Sequence, residues 1–225
     1  NTDGSISSQV RVSQTAGFSI VSFTGTGANG SIGHGLNAAP ALIIAKSRSA
    51  SDNWFVYHSS IGANGYIMLN STSAADTSNS TVWQNVTPTA NVFYASTGGY
   101  NDSGVTLIAY CFAPVAGYSA FGSYVGNGSA DGTFVHTGFK SKWILIKVSS
   151  TTNDWVIYDT ERDTYNASDA ELYPNTSGAE NTSGPIDILS NGFKQRSTHN
   201  HLNQSGQTYI YVAFAEHPFQ AARAR

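Results

Sequence analysis

The sequence predicts an all-β fold of two tandem, similar β-sandwich units, and three observations predict it. Apolar runs are short, rich in Val, Ile, Tyr, Phe and Trp, and bounded by clusters of Gly, Asn, Asp and Ser, which is how strands and turns alternate. The 3.6-residue apolar period of a helical domain is missing throughout. The same landmarks also recur at a spacing of about 100 residues, the mark of an internal repeat. Many short strands with regular turns point to a sandwich, jelly-roll or lectin-like architecture, with about seven strands per copy.

The elements pair in order. One copy opens with Gly17-Phe18-Ser19-Ile20-Val21-Ser22-Phe23-Thr24, the other with Gly117-Tyr118-Ser119-Ala120-Phe121-Gly122-Ser123-Tyr124. Each reaches a Gly-apolar pair, Gly35-Leu36 and Gly138-Phe139, and then an apolar run ending in lysine. Those runs are Leu42-Ile43-Ile44-Ala45-Lys46 and Trp143-Ile144-Leu145-Ile146-Lys147. A polar turn leads to Asn53-Trp54-Phe55-Val56-Tyr57 and Asp154-Trp155-Val156-Ile157-Tyr158. The copies close on Ser103-Gly104-Val105-Thr106-Leu107-Ile108 and Ser205-Gly206-Gln207-Thr208-Tyr209-Ile210. The expected organisation is a linker or the end of a preceding domain over 1–16, copy one over 17–116, copy two over 117–219 and a tail over 220–225. The joint Pro114-Val115-Ala116-Gly117 is short, so the copies are expected to pack as one body. Residue 1 is Asn, which suggests a processed chain or the end of a longer one.

Composition narrows the function. Of 225 residues only 11% are charged, against roughly 25% in an average domain. Ser, Thr, Asn and Gly replace them, as turn-rich β proteins require. The net charge of −3 and the absence of a basic stripe argue against nucleic acid as a partner. No apolar run approaches the roughly 20 residues of a membrane-spanning helix, so membrane insertion is not expected. The single Cys111 lies in an apolar strand and reads as a buried, inert thiol.

The landmarks His34-Gly35-Leu36, Thr137-Gly138-Phe139, Trp155-Val156-Ile157-Tyr158-Asp159, Asn191-Gly192-Phe193 and Asn203-Gln204-Ser205-Gly206-Gln207-Thr208-Tyr209 together resemble a recurrent module. It is found in tail fibres and other virion-surface proteins of tailed, often marine, bacteriophages. The resemblance covers residues 17–219. It implies a virion-surface location, binding of a host receptor or cell-surface glycan from a tail fibre or tail tip, and contacts with other virion proteins. It also implies a homotrimer. The alternative it leaves open is a structural capsid decoration or head fibre. Some related modules follow Tyr-Asp with an Arg-Gly corner. Here Glu161-Arg162-Asp163 and Ser59-Ser60-Ile61-Gly62 stand instead, and the resemblance supplies no binding residues.

No catalytic set emerges: there is no Gly-x-Ser-x-Gly elbow and no His-Glu-x-x-His helix, so neither an enzyme nor a cofactor or metal is expected. Gly25-Thr26-Gly27-Ala28-Asn29-Gly30 matches the dinucleotide fingerprint, but the helix that fingerprint needs cannot start at Ser31-Ile32-Gly33-His34-Gly35, so a hairpin turn is expected. Asp159, Glu161, Asp163, Asp169 and Glu171 read as a solvated acidic loop in which Arg162 pairs locally. Binding is expected from loops that differ between the copies, at 71–86, 159–171 and 199–201. Trp83 has two readings, ordinary packing or stacking on a sugar ring, with Gln84 and Asn85 as hydrogen-bonding neighbours. Tyr100 aligns with Leu202, which favours packing, but it too is a candidate contact. His199 and His201 would share a face if extended, or lie in a polar turn.

Overall fold

The structure, a computed structural model, describes residues 1–98 and 100–217. The expected tail over 220–225 and the end of copy two at 219 lie outside the described residues. Those residues form fifteen strands and no helix, and they fall into two compact units.

The first unit takes residues 1–69 and 75–114. It holds β1 (Ser8–Ser13), β2 (Phe18–Thr24), β3 (Gly30–Gly33), β4 (Leu42–Ser47), β5 (Phe55–His58), β6 (Ile67–Met68), β7 (Val92–Ala95) and β8 (Thr106–Phe112). A six-stranded sheet of order β1-β2-β8-β4-β5-β6 faces the β3-β7 pair, and all these named pairings are antiparallel. Period-two burial in β2 and β8 turns Val21, Phe23, Leu107, Ala109 and Cys111 into the core. Phe23 meets Phe93 of β7 edge-on with ring centroids 6.0 Å apart, which joins the two layers. Cys111 is enclosed, and burial pushes its thiol far above the ordinary range, as expected of an inert cysteine.

The second unit holds β9 (Ser119–Val125), β10 (Phe134–His136), β11 (Ser141–Val148), β12 (Trp155–Asp159), β13 (Ile186–Leu189), β14 (Gly192–Gln195) and β15 (Thr208–Ala215). Its sheets run β12-β11-β15-β9 and β10-β14-β13. Phe193 of β14 meets Tyr124 of β9 at 6.1 Å and Tyr211 of β15 at 5.6 Å, so this unit is also a two-layer sandwich. Its order β9-β15-β11-β12 repeats β2-β8-β4-β5, and β10-β14 repeats β3-β7. The sequence repeat is therefore a repeat of strand order.

Two boundaries differ from expectation. Residues 1–16 are not a linker: β1 pairs with β2 along its whole length, from Ser8↔Phe23 to Ser13↔Phe18. The cause is apolar anchoring. Ile6 is buried, Val10 packs on the core, and β1 covers an edge that β2 would otherwise leave open. Residues 70–74 group with the second unit, where the Thr72 carbonyl accepts from Asn153 N (2.9 Å) and Lys147 Nζ (3.2 Å).

The glycine-rich stretches are not hairpin turns, because β2 and β3 lie in different sheets, as do β9 and β10. Each is a corner between layers, pinned by one buried asparagine. Asn101 Nδ2 donates to the Ala28 carbonyl (2.7 Å), and its Oδ1 accepts from Thr26 N (3.3 Å). Asn203 repeats this with Ser129 O (2.7 Å) and Asn127 N (3.0 Å). The backbone carbonyls of the two asparagines accept from Gly27 N (2.9 Å) and Gly128 N (2.8 Å). The corner leaves no room for a side chain. A Cβ on Gly25 would sit 2.3 Å from the Asp102 carbonyl oxygen, and one on Gly126 2.3 Å from that of Gln204. The match to a phosphate-binding fingerprint thus arises from a backbone close approach of another kind.

Candidate functional site

Between β12 and β13 the second unit carries a long excursion, residues 160–185, and side chains tie it down at both flanks. Asp159 Oδ1 accepts from the backbone of Glu161 (3.1 Å) and Arg162 (3.0 Å), turning the chain. Arg162 Nε returns to Asp159 Oδ2 at 2.6 Å and its guanidinium also pairs with Glu180. Burial would raise the Asp159 carboxyl, but the bonds from Arg162 outweigh it and hold the carboxyl below its ordinary value. Lys142 pairs with Glu161. Arg162 thus pairs locally as the sequence indicates.

The excursion then covers one edge of each sheet. Leu172 and Ile157 of β12 exchange backbone bonds of 2.8 and 3.1 Å, and Ser168 and Ile186 of β13 exchange two of 2.8 Å. Asn166 imitates a further strand residue: its Nδ2 donates to Ile188 O (2.9 Å) and its Oδ1 accepts from Ile188 N (2.8 Å). Open strand edges are aggregation templates, so this covering protects the unit. Between these ties Tyr165 stands 83% exposed, the most exposed of the large apolar side chains among the described residues.

Beneath the excursion lies a carboxylate that the sequence places in a solvated loop. Glu171 is fully buried. Its Oε1 lies 2.7 Å from the Tyr158 hydroxyl and 3.0 Å from His201 Nε2. Its Oε2 accepts from the Tyr173 hydroxyl (2.5 Å) and from Asn181 Nδ2 (3.0 Å). The Tyr158 hydroxyl is also 2.5 Å from the Gly184 carbonyl, so its single proton is shared between two acceptors. A Cβ on Gly184 would lie 1.9 Å from Glu171 Oε1, so any side chain there would displace the anchored carboxylate. Burial works to raise the Glu171 carboxyl, yet the bonds from His201, Tyr173 and Tyr158 outweigh it and hold it below the ordinary carboxylate range. Burial and the adjoining carboxylate in turn push the Tyr173 phenol up to about 12. With both oxygens occupied and no exposed surface, Glu171 anchors the excursion and has no free lone pair to present to a substrate.

The sequence-predicted contact residues separate. Trp83 is 1% exposed, with its ring 5.4 Å from Tyr100 and 6.0 Å from Tyr57. Tyr100 is equally enclosed and lies 5.8 Å from Phe55. Neither can stack on an external sugar: three neighbouring rings already fill the space, and the packing reading holds for both. Gln84 spends its amide inside the first unit, donating to the carbonyls of Gly30 (2.8 Å) and Ala95 (2.6 Å) across β3 and β7. Asn85 is exposed. His199 and His201 lie in a turn, where the His199 carbonyl accepts from Leu202 N (3.0 Å) and Asn203 N (2.8 Å). Their rings are 5.3 Å apart, but His201 is committed to Glu171 while His199 is exposed. No group of three His, Cys, Asp or Glu side chains among the described residues is placed to hold a metal ion. Sequence reasoning missed Tyr165 and the burial of Glu171. Tyr165 differs from the polar residues around it, which is the one signal that could have found it.

A match to the family described as a domain of unknown function, DUF7483, spans residues 1–218. The chain belongs to the DUF7483 family. No curated protein and no solved structure matches it. The family match begins at residue 1, in keeping with the place of β1 in the first unit.

One further charge in this DUF7483 chain is buried. Lys147, the last residue but one of β11, has no exposed surface, and its Nζ donates to Val148 O (2.7 Å) and Thr72 O (3.2 Å). Burial lowers its ammonium from 10.5 to about 8, with Asp154 opposing. Between about 8 and 10.5 the unfolded chain therefore binds a proton that the folded chain does not. The group's cost is in full force below about 8 and is relieved as pH rises through that window. Relative to Lys147→Met, the wild type should gain up to roughly 3 kcal/mol of unfolding free energy over that rise. Urea titrations at several pH values measure this. A difference between the two proteins that does not change with pH would refute it. Cys111 and the buried tyrosines titrate in both proteins and cancel.

Proposed function

We propose that this DUF7483 chain is a non-catalytic binding module on the outer surface of a tailed-phage particle. It sits in a tail fibre or tail tip and recognises a host receptor or cell-surface glycan through the crest of the 160–185 excursion. The observation that carries the reading is Tyr165, an aromatic ring held almost wholly in solvent on a loop whose flanks are fixed by side-chain and backbone bonds. An exposed ring on a braced loop loses little freedom on contact, and that preorganisation is what converts a small contact into affinity. Tyr also joins an apolar face to a hydroxyl, which suits a sugar ring. A binder is favoured over an enzyme because the densest acidic cluster is spent on bracing. The resemblance to virion-surface modules supplies the location and a homotrimer, in which weak single contacts add through avidity.

The test is Tyr165→Ala, compared with wild type for binding to an array of bacterial surface polysaccharides and to intact cells. The expected result is binding by the wild type, lost in the variant, with an unchanged melting temperature. Equal binding by both proteins would remove the loop from the interface. Release of reducing sugar by the wild type would overturn the non-catalytic reading.

A further inference from the structure

The outer face of the six-stranded sheet in the first unit carries a second set of polar groups, whose side chains bond to no other described residue. Strand alternation fixes which residues face outward. Val21 and Phe23 point into the core, so Ser22 and Thr24 point away from it. Opposed residues in antiparallel strands share a face, which adds Gln9 (opposite Ser22) and Thr106 (opposite Thr24). Arg48 follows the inward Ser47 at the end of β4, and its N–H donates to Thr106 O at 2.7 Å, so it faces outward beside Thr106. These five side chains line an open cleft of about 270 Å³. None of them makes a hydrogen bond or ion pair with another described residue. Among the other described residues, most guanidinium and amide side chains have partners. Arg162 and Arg196 each meet two carboxylates, and Gln84 meets two carbonyls.

We infer that this cleft binds an acidic saccharide, a sugar unit bearing one carboxylate, with the carboxylate on Arg48 and the sugar hydroxyls on Gln9, Ser22, Thr24 and Thr106. Guanidinium matches a carboxylate through two parallel N–H donors. Arg48 is the one charged side chain that lines the cleft, and a single positive charge suits a carboxylate better than a phosphate dianion. Hydroxyl and amide side chains both donate and accept, as vicinal sugar hydroxyls require. Gln9–Ser22 and Thr24–Thr106–Arg48 are adjacent rows that together cross three strand spacings from β1 to β4, about 14 Å, which accommodates a short oligosaccharide and is longer than a lone ion needs. The site is independent of the Tyr165 loop, which belongs to the other unit.

The test titrates trigalacturonate into the full chain and follows backbone amide signals by NMR. Wild type should shift at Ser22, Thr24 and Thr106. Arg48→Ala, a change at an exposed side chain, should weaken binding by roughly tenfold or more, as expected for the loss of a charge-assisted pair. Thr24→Val with Thr106→Val should weaken it further, and Tyr165→Ala should leave it unchanged. Maltotriose should bind more weakly than the uronate. No shift at these three amides, equal binding by Arg48→Ala, or inorganic phosphate binding as tightly as the uronate would each overturn the proposal. Loss on Tyr165→Ala alone would instead place acidic-sugar binding on the loop.

Discussion

Glu171→Ala is expected to destabilise the second unit by roughly 3–5 kcal/mol, because several buried donors lose one carboxylate acceptor at once. The substitution deletes the acceptor that Tyr173, Asn181 and His201 share, and it takes from Tyr158 one of two acceptors. A buried donor left without a partner costs about 1–3 kcal/mol, so several at one place produce an effect large against the total stability of a domain. Glu171→Gln keeps the shape but replaces one acceptor oxygen with an amide, so it should cost less. Acid separates the two further. Because the folded Glu171 carboxyl sits below its ordinary value of 4.5, its contribution is complete above that value and fades as pH falls through the folded one. The wild type should therefore lose stability on acidification that Glu171→Gln does not lose. Denaturant titrations at neutral pH and at about pH 4 measure both effects. A loss below about 1 kcal/mol for Glu171→Ala would mean the excursion stands without its anchor.

Trp83→Ala should cost roughly 3–5 kcal/mol through the cavity it opens beneath Tyr57 and Tyr100. Trp83→Phe should cost much less, since the indole Nε1 has no hydrogen-bond partner to lose. Circular dichroism melts of the three proteins give the comparison. Had Trp83 been a sugar-stacking residue, its removal would spare the melting temperature and abolish binding. The buried position predicts the opposite for temperature, and any lost binding would follow from unfolding.

The strands were legible because each rule involved is local. Alternation in Phe18-Ser19-Ile20-Val21-Ser22-Phe23 and the paired Trp54 and Trp155 strands depend only on neighbours along the chain. Residues placed by partners far away in sequence were not legible. Trp83 sits among Ser80, Thr81, Gln84 and Asn85, a stretch whose polarity reads as surface. It is buried because the turn folds under Tyr57 and Tyr100, and no local pattern encodes that fold-back. Glu171 is alike: its donors come from positions 158, 173, 181 and 201, and only the apolar flanks Ala170 and Leu172 hint at burial. The pinning asparagines were half-visible. Asn203-Gln204-Ser205-Gly206 and Asn101-Asp102-Ser103-Gly104 align, yet their bonds to Ser129 and Ala28 cross more than 70 residues.

The strand order has a consequence for how a nascent chain acquires its shape. In each unit the strand synthesised last lies between two made earlier: β8 between β2 and β4, and β15 between β9 and β11. A ribosome that has released everything before Thr106 has produced the two flanks of a sheet and nothing to join them. Both flanks then show unpaired backbone, and the first unit cannot close until its final strand slots between them. The second unit repeats the wait until Thr208 onward has emerged. Closure is thus the concluding event in each half. The pairings it makes are among the most distant in sequence, which is the condition for slow folding and for an interval in which sticky edges are exposed. A stop codon before residue 208 should therefore leave the second half as an insoluble fragment even though six of its seven strands would be present.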